Sequence, residues 1–238
     1  MSVATAHADV GRRAPEHLPP LVRDYVERAV PEGVAWPRHV HLEQTGTMCL
    51  RRGGAWKPFT ARQELAAERT FFEWRARMAV AGPLKASAID RIDGSHGELD
   101  ARLLGVRVAH AEGASTDLGE LMRYVAEIPW NPGAIALHPG LAWDDRGDGV
   151  VDVRLHEGDL DATVRFRFDE HGNITEASAS RPFEQGRRIV RTPWAGRFSR
   201  YRRLGGIRIP TYAEVRWELP QGPYPYFRGE LRSFEVRS

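Results

Sequence analysis

Four side chains on one predicted helix carry the strongest chemical signal in this sequence. Glu120, Arg123, Tyr124 and Glu127 occupy positions i, i+3, i+4 and i+7, so a helix places them on one side. If that side faces a cavity, an arginine beside two carboxylates separates their pKa values and supplies an acid, a base and an anion clamp. If it faces solvent, the same residues form exposed ion pairs worth about 0.2–0.5 kcal/mol each. The spacing alone leaves both interpretations open.

Two histidines on one predicted strand are the best metal-binding candidate in the sequence. His39 and His41 point to the same face of a predicted strand, at a spacing that one ion can bridge. Glu43 lies about 6.6 Å further along the strand than His41, too far for easy chelation. One strand then supplies only two ligands, and we predict no metal site. Cys49, the single cysteine, is interpreted as a small buried residue.

Signatures of nucleotide and cofactor chemistry are missing from the sequence. It contains no G-x-x-x-x-G-K-[ST] loop, no G-x-G-x-x-G turn between a strand and a helix, and no G-x-S-x-G elbow. Zinc motifs of the H-E-x-x-H and paired C-x-x-C types are also missing. We therefore predict no cofactor.

Two amphipathic helices are predicted to position these residues within a larger sheet. The first runs from Pro20 to Ala29 and the second from about Asp117 to Ile128, each with apolar residues at helical spacing and a proline behind it. Elsewhere, roughly a dozen alternating segments are separated by glycine-rich turns, which is typical of antiparallel strands. An open sheet with this many strands is expected to curl. We predict a mainly β (α+β) half-barrel over 17–238, with two helices plugging a cavity, and a disordered tail over 1–16.

Composition limits the classes of partner. The 34 basic and 32 acidic residues give a net charge of +2, and this balance argues against a nucleic-acid partner. No stretch reaches the roughly 20 apolar residues of a membrane span, so we predict no integral membrane segment and expect a cytoplasmic protein. Arginines between Arg181 and Arg208 are expected on solvated strand faces, with an anionic ligand headgroup as the alternative.

Two sequence patterns resemble known families. The segment Gly206-Ile-Arg-Ile-Pro210 resembles a strand entry of the lipoprotein-carrier superfamily, which implies a half-barrel with helices over an apolar cavity. The pattern Arg123-Tyr-x-x-Glu127-x-x-Trp130 resembles a largely uncharacterised bacterial family that is well represented in actinobacteria. With this second resemblance, the interpretation in which the charged helix face points into a cavity has the same weight as the one in which it faces solvent.

The leading functional hypothesis is that a small hydrophobic or lipid-like molecule binds in an aromatic-lined cavity. The ligand-binding residues predicted for this function are Arg123, Glu120, Trp130, Arg181 and Trp194. The alternative is a cofactor-independent cyclase, isomerase or hydrolase, in which Glu127 is the general base, Tyr124 donates a proton and Arg123 stabilises an oxyanion. A structural or partner-binding domain with a filled core is the third hypothesis.

Overall fold

One antiparallel sheet dominates the fold. The computed structural model describes residues 13–81, 84–186 and 188–237, which form thirteen strands, three α-helices and one 3-10 turn. All thirteen strands of these described ranges belong to a single curled sheet. The predicted mainly β half-barrel with roughly a dozen strands is confirmed.

The bounds of the elements follow the chain in order. The strands are β1 (His39–Met48), β2 (Lys57–Ala66), β3 (Phe71–Ala81), β4 (Leu84–Asp93), β5 (His96–Leu103), β6 (Val106–Ala111), β7 (Leu141–Gly147), β8 (Val150–Glu157), β9 (Leu160–Phe168), β10 (Ile174–Gln185), β11 (Arg188–Leu204), β12 (Ile207–Leu219) and β13 (Gly222–Arg237). The helices are α1 (Pro20–Ala29), α2 (Ala114–Glu127) and α3 (Gly133–Leu137), and the 3-10 turn spans Ile128–Trp130.

The strand order explains why a helix crosses the concave side. Strands β1–β6 form one meander, which we call the first wing, and strands β7–β13 form a second meander, the second wing. The two wings are joined into one sheet because β1 pairs with β13. Consequently β6 and β7, consecutive in sequence, lie at opposite edges of the sheet. The chain returns from one edge to the other through α2, the 3-10 turn and α3. On this path α2 packs against β4 and β5 of the first wing and against β8, β9 and β10 of the second.

Alternation along each strand separates the core from the solvent. In β9 the side chains of Ala162, Val164 and Phe166 are buried, whereas the residues between them are exposed. This period of two is the expected pattern for strands with one face on the core. The apolar inner faces of the wings and the helices together bury one continuous hydrophobic core.

The helices differ from the prediction in two places, the start of α2 and the presence of α3. The first helix has the predicted bounds, but α2 begins at Ala114, directly after Gly113 with φ 94°, a backbone conformation that favours glycine. Asp117, expected near the helix start, instead accepts a hydrogen bond from the Gly97 N–H at 2.8 Å. The sequence prediction also missed α3. A Cβ on Gly133 would lie 2.0 Å from the Pro37 carbonyl oxygen, so this helix requires glycine at its first position.

Part of the predicted N-terminal tail can be placed. Residues 1–12 lie outside the described residues, whereas Ala14 is buried against the core with 4% of its surface exposed. Among the described residues, no helix has both the length and the apolar composition needed to span a bilayer.

Candidate ligand-binding cavity

A cavity of about 290 Å³ lies between α2 and the concave face of the sheet. Its wall is rich in aromatic side chains, which make up seven of the eighteen described lining residues. The aromatic lining residues are Trp74, Trp130, Trp194, Phe198, Trp217, Tyr226 and Phe227. Met48, Leu99 and Val215 also line it and are half-buried.

The charged face of α2 points into this cavity. Glu120, Arg123 and Glu127 all line it, and their side chains are only 10%, 15% and 14% exposed. Arg123 donates from Nε to Glu127 Oε1 at 2.8 Å and pairs through Nη1 with Asp90 of β4. Its guanidinium carbon also lies 4.7 Å from the Phe72 ring centroid. The solvated-face interpretation does not describe this structure.

Glu127 is held by a chain of buried amides. The side-chain amide of Gln63 of β2 donates to Glu127 Oε2. The side-chain amide of Gln44 of β1 in turn donates to the side-chain oxygen Oε1 of Gln63 at 3.1 Å. The indole N–H of Trp74 completes the chain by donating to Gln44 at 3.0 Å. Both oxygens of Glu127 therefore already accept hydrogen bonds, which does not support its predicted role as a general base.

Arg181 of β10 approaches the same helix from the second wing. Its Nη2 donates to the Gly119 carbonyl at 2.7 Å and lies 3.8 Å from Glu120 Oε1. Its guanidinium carbon is 4.8 Å from the Trp194 ring centroid and 5.9 Å from that of Trp217. Arg181 thus faces inward with 7% of its surface exposed, unlike the solvated arginines expected around it.

Glu120 lies between the two arginines without a close hydrogen bond to either. Its Oε2 is 4.0 Å from Arg123 Nη1, and its Oε1 is 3.8 Å from Arg181 Nη2. Burial, followed by the charge of the neighbouring Asp90, raises the pKa of Glu120 well above its ordinary value. Burial thus shifts this side chain toward its protonated, neutral form.

Three buried polar atoms at the cavity have no hydrogen-bond partner among the described residues. They are Asp90 Oδ1, Glu120 Oε2 and Arg181 Nε. Most buried polar atoms in folded proteins are satisfied, and an exception indicates strain or a functional role. Asp90 Oδ1 can accept a hydrogen bond and Arg181 Nε can donate one, whereas Glu120 Oε2 accepts as part of a carboxylate and can donate as part of the neutral acid. These atoms form the polar end of the cavity.

The tryptophans are fixed by their own hydrogen bonds. Trp130 donates to the Pro210 carbonyl at 3.0 Å, and Trp194 donates to the Tyr226 hydroxyl at 2.9 Å. The Trp130 ring also meets Phe198 edge-on, with centroids 5.7 Å apart. With their N–H groups bonded, these indoles present apolar ring surface to the cavity.

Tyr124 is the predicted site residue that the structure does not bring to the cavity. It is fully buried, and its hydroxyl donates to the Ala66 carbonyl at 3.0 Å. Tyr124 follows Arg123 by about 100° around the helix, which turns it away from the cavity and toward Ala66 at the end of β2. Its predicted role as a proton donor to a ligand in this cavity is therefore not supported.

Sequence reasoning missed Asp90, the carboxylate closest to Arg123. Asp90 lies on the inner face of β4, together with the buried Ile92 two residues later. An acidic residue at an inward position of a strand is the signal that was available. By contrast Glu120, Arg123, Glu127, Trp130, Arg181 and Trp194, all predicted site residues, do line the cavity.

The family assignment follows from the whole chain. The family of unknown function DUF6544 matches residues 8–229. The chain belongs to this family. A DUF6544 half-barrel thus carries the cavity described above, and the predicted resemblance to an uncharacterised family is confirmed. No curated protein matches the DUF6544 chain.

Several solved structures have a similar fold. A LolA superfamily protein from Nitrosomonas europaea has 9% identity, with 92% of each chain covered and a TM-score of 0.48. An outer membrane lipoprotein-sorting protein domain from Vibrio parahaemolyticus has 6% identity, 91% of each chain covered and a TM-score of 0.48. A DUF1329 family protein from Desulfovibrio piger has 12% identity over 84% of this chain and 86% of that chain, with a TM-score of 0.43.

Proposed function

We propose that the protein binds a compact, largely apolar molecule in the cavity under α2. The observation that carries this proposal is the combination of an aromatic wall with three unpaired buried polar atoms at one end. Ligand sites are typically apolar clefts with a few well-placed polar groups. A filled structural core would instead leave neither the space nor the unpaired atoms.

The size of the cavity limits the ligand. Its volume of about 290 Å³ lies at the lower end of the roughly 300–1,000 Å³ range of small-molecule sites. We therefore propose a single compact molecule, of the size of a fused-ring compound, in preference to a two-chain lipid.

The charges at the cavity favour a neutral ligand. With Glu120 protonated, the carboxylates of Asp90 and Glu127 balance the guanidinium groups of Arg123 and Arg181. A charged ligand group would disturb this balance in a buried environment, which is costly. A hydroxyl or amide fits better, because it can donate to Asp90 Oδ1 and accept from Arg181 Nε.

Acid–base catalysis is a second candidate function, favoured by one specific observation. Glu120 is a buried carboxyl with a raised pKa beside Asp90, and each of the two has an unpaired oxygen in the cavity. Carboxyl groups with separated pKa values are a frequent arrangement of a general acid and a general base. In this function Glu120 would donate the proton and Asp90 would accept one.

Native mass spectrometry of the freshly purified protein is the first test. A stoichiometric small-molecule adduct, identified after solvent extraction, would support the proposal and name the ligand class. Because weakly held ligands are lost on purification, titration with 2-naphthol and naphthalene-2-sulfonate should follow, with the quenching of tryptophan fluorescence as the signal. We expect 2-naphthol to bind at least about tenfold more tightly than the sulfonate, an energy difference of about 1.4 kcal/mol.

A cavity-filling variant localises the binding. Gly196 lines the cavity, and a Cβ there would make only ordinary contacts, the nearest being 3.5 Å from the Trp194 ring. Gly196→Leu should abolish 2-naphthol binding, whereas the matched control Gly196→Ala should retain most of it. Equal binding by both variants would contradict the proposed site.

The substitution Glu120→Gln distinguishes binding from catalysis. Glutamine resembles the neutral acid in shape, so a binding protein should keep its affinity for an identified ligand. An enzyme should keep binding but lose turnover, because the amide cannot transfer a proton to the substrate.

A further inference from the structure

A second cluster of chemically capable side chains lies on the opposite, convex face of the sheet. His39 and His41 of β1 are half-buried there, and the strand pairing places Glu64 of β2 directly opposite His41. The inward neighbours of these residues, Val40 and Leu65, are fully buried in the core. Sequence reasoning considered only Glu43 as a third ligand, because it treated β1 without its neighbour.

The three side chains are close enough to share one ion. One ligand atom from each of His39, His41 and Glu64 lies within 4.8 Å of the others. The Nδ1 of His41 is 3.2 Å from Glu64 Oε1. Ligand atoms around tetrahedral zinc, with bonds of about 2.0–2.1 Å, are roughly 3.3 Å apart. The 3.2 Å between His41 and Glu64 already agrees with this spacing, and the ligand atom of His39 lies within 4.8 Å of both.

The pairing of the surrounding charges distinguishes Glu64 from its neighbours. On the same face, Glu43 pairs with Arg62 at 3.1 Å, and Glu73 pairs with Arg75 at 2.6 Å. Glu64 instead faces the imidazole of His41. In the part of the chain that the structure describes, Glu64 forms no ion pair with an arginine. A carboxylate that faces two histidines is a typical arrangement of metal ligands.

The His39 ring is also held in position from its other side. Its centroid lies 6.0 Å from that of His41 and 5.9 Å from that of Phe71. The guanidinium of Arg69 covers the same Phe71 ring at 4.4 Å. The two imidazoles therefore stand side by side on a rigid strand, which lowers the ordering cost of binding an ion.

We propose that His39, His41 and Glu64 form a binding site for a divalent transition-metal ion of the zinc type. Two imidazoles and one carboxylate are a donor set that suits zinc, and three protein ligands leave the fourth position for water or an exogenous ligand. The site is separated from the cavity by the sheet and is independent of the proposed function.

A second cluster of possible metal ligands serves as a control for the proposed zinc site. Glu98, His110 and Glu112 also bring one ligand atom each within 4.8 Å of one another, but they include one histidine, and Glu98 already accepts a hydrogen bond from Arg91 at 2.8 Å. Here His110 directs Nε2 to Glu112 at 3.1 Å, whereas its Nδ1 is 4.0 Å from Glu98. This cluster should bind zinc more weakly than the proposed site.

Zinc titration of the untagged full-length protein, by isothermal calorimetry, tests the proposal. We expect one tight site per chain, weakened at least about tenfold by His41→Gln and by Glu64→Gln, and unchanged by the control His110→Gln. Circular dichroism should confirm that each variant is folded, and the absorption bands of bound Co²⁺ in the wild-type protein report the coordination directly. Loss of binding in His110→Gln but not in His41→Gln, or no binding by the wild type, would overturn the proposal.

Discussion

Arg181 of β10 donates a hydrogen bond to the backbone carbonyl of Gly119 in α2 at 2.7 Å. One turn further along the helix, Arg123 pairs with Asp90 of β4 in the opposite wing. Two arginines thus attach the same helix to both halves of the curled sheet. The polar end of the cavity therefore also connects the two wings, and removing either arginine should affect both stability and binding.

Replacing Arg123 should be strongly destabilising. In Arg123→Met the carboxylates of Asp90 and Glu127 lose their counterion in a largely buried site, and we expect a loss of about 3–5 kcal/mol in the free energy of unfolding. Urea denaturation followed by circular dichroism measures this change. In the Arg123→Met background, Asp90→Asn should cost less than it does in the wild type, because the two residues are coupled.

An exposed ion pair is the matched control for Arg123. Arg62 pairs with Glu43 at 3.1 Å on the surface, and its side chain is 82% exposed. Arg62→Met should change stability little, because solvent screens exposed pairs. If Arg62→Met and Arg123→Met were equally destabilising, the assigned role of the buried network would be wrong.

The raised pKa of Glu120 predicts a specific dependence of stability on pH. Since the folded protein holds this proton more tightly than the unfolded chain, its contribution is fully present below the ordinary pKa of about 4.5 and is lost as the pH rises through the folded value. The slope should be at most about 1.4 kcal/mol per pH unit. Glu120→Gln has no proton to lose, so its stability relative to the wild type should increase with pH across this window.

Urea denaturation of both proteins at a series of pH values measures this difference. Subtracting the two curves removes the other titrating groups that they share. A difference that is independent of pH would show that Glu120 titrates normally in the folded protein.

Much of the fold was predictable because local patterns determine it. The bounds of α1 agree with the sequence prediction, since apolar spacing and flanking prolines mark both ends. The hairpins follow from alternation and glycine-rich turns. By contrast α3 has only five residues, and its position depends on the contact of Gly133 with Pro37, which no local pattern reveals.

The candidate site was predictable only on its helix. Helical spacing brought Glu120, Arg123 and Glu127 together, and the structure confirms their proximity. Asp90 and Glu64 were missed because their partners lie on other elements, Arg123 on α2 and His41 on β1. These contacts depend on how the helix packs and on the register of the sheet. Spacing along a chain does not contain this information.

Removing the Tyr124 hydroxyl should separate stability from binding. Tyr124→Phe deletes the donor to the buried Ala66 carbonyl, and we expect a loss of about 1–3 kcal/mol in the free energy of unfolding. The affinity for 2-naphthol should be unchanged, because this side chain does not line the cavity. A variant that is as stable as the wild type but binds 2-naphthol more weakly would show that Tyr124 contributes to the binding site.

Replacing Arg181 should shift the pH dependence assigned to Glu120. The positive charge of Arg181 lowers the pKa of Glu120, in opposition to burial and Asp90. In Arg181→Met this pKa should rise further, so the window in which stability falls with pH should extend to higher pH. The variant should also lose about 1.5–3 kcal/mol in the free energy of unfolding, because a charged donor to the Gly119 carbonyl is removed.

The measurement is the same pH series of urea denaturation, carried out on Arg181→Met and on the double variant Arg181→Met with Glu120→Gln. If the upper end of the window does not move, the two side chains do not interact as the 3.8 Å between Arg181 Nη2 and Glu120 Oε1 implies.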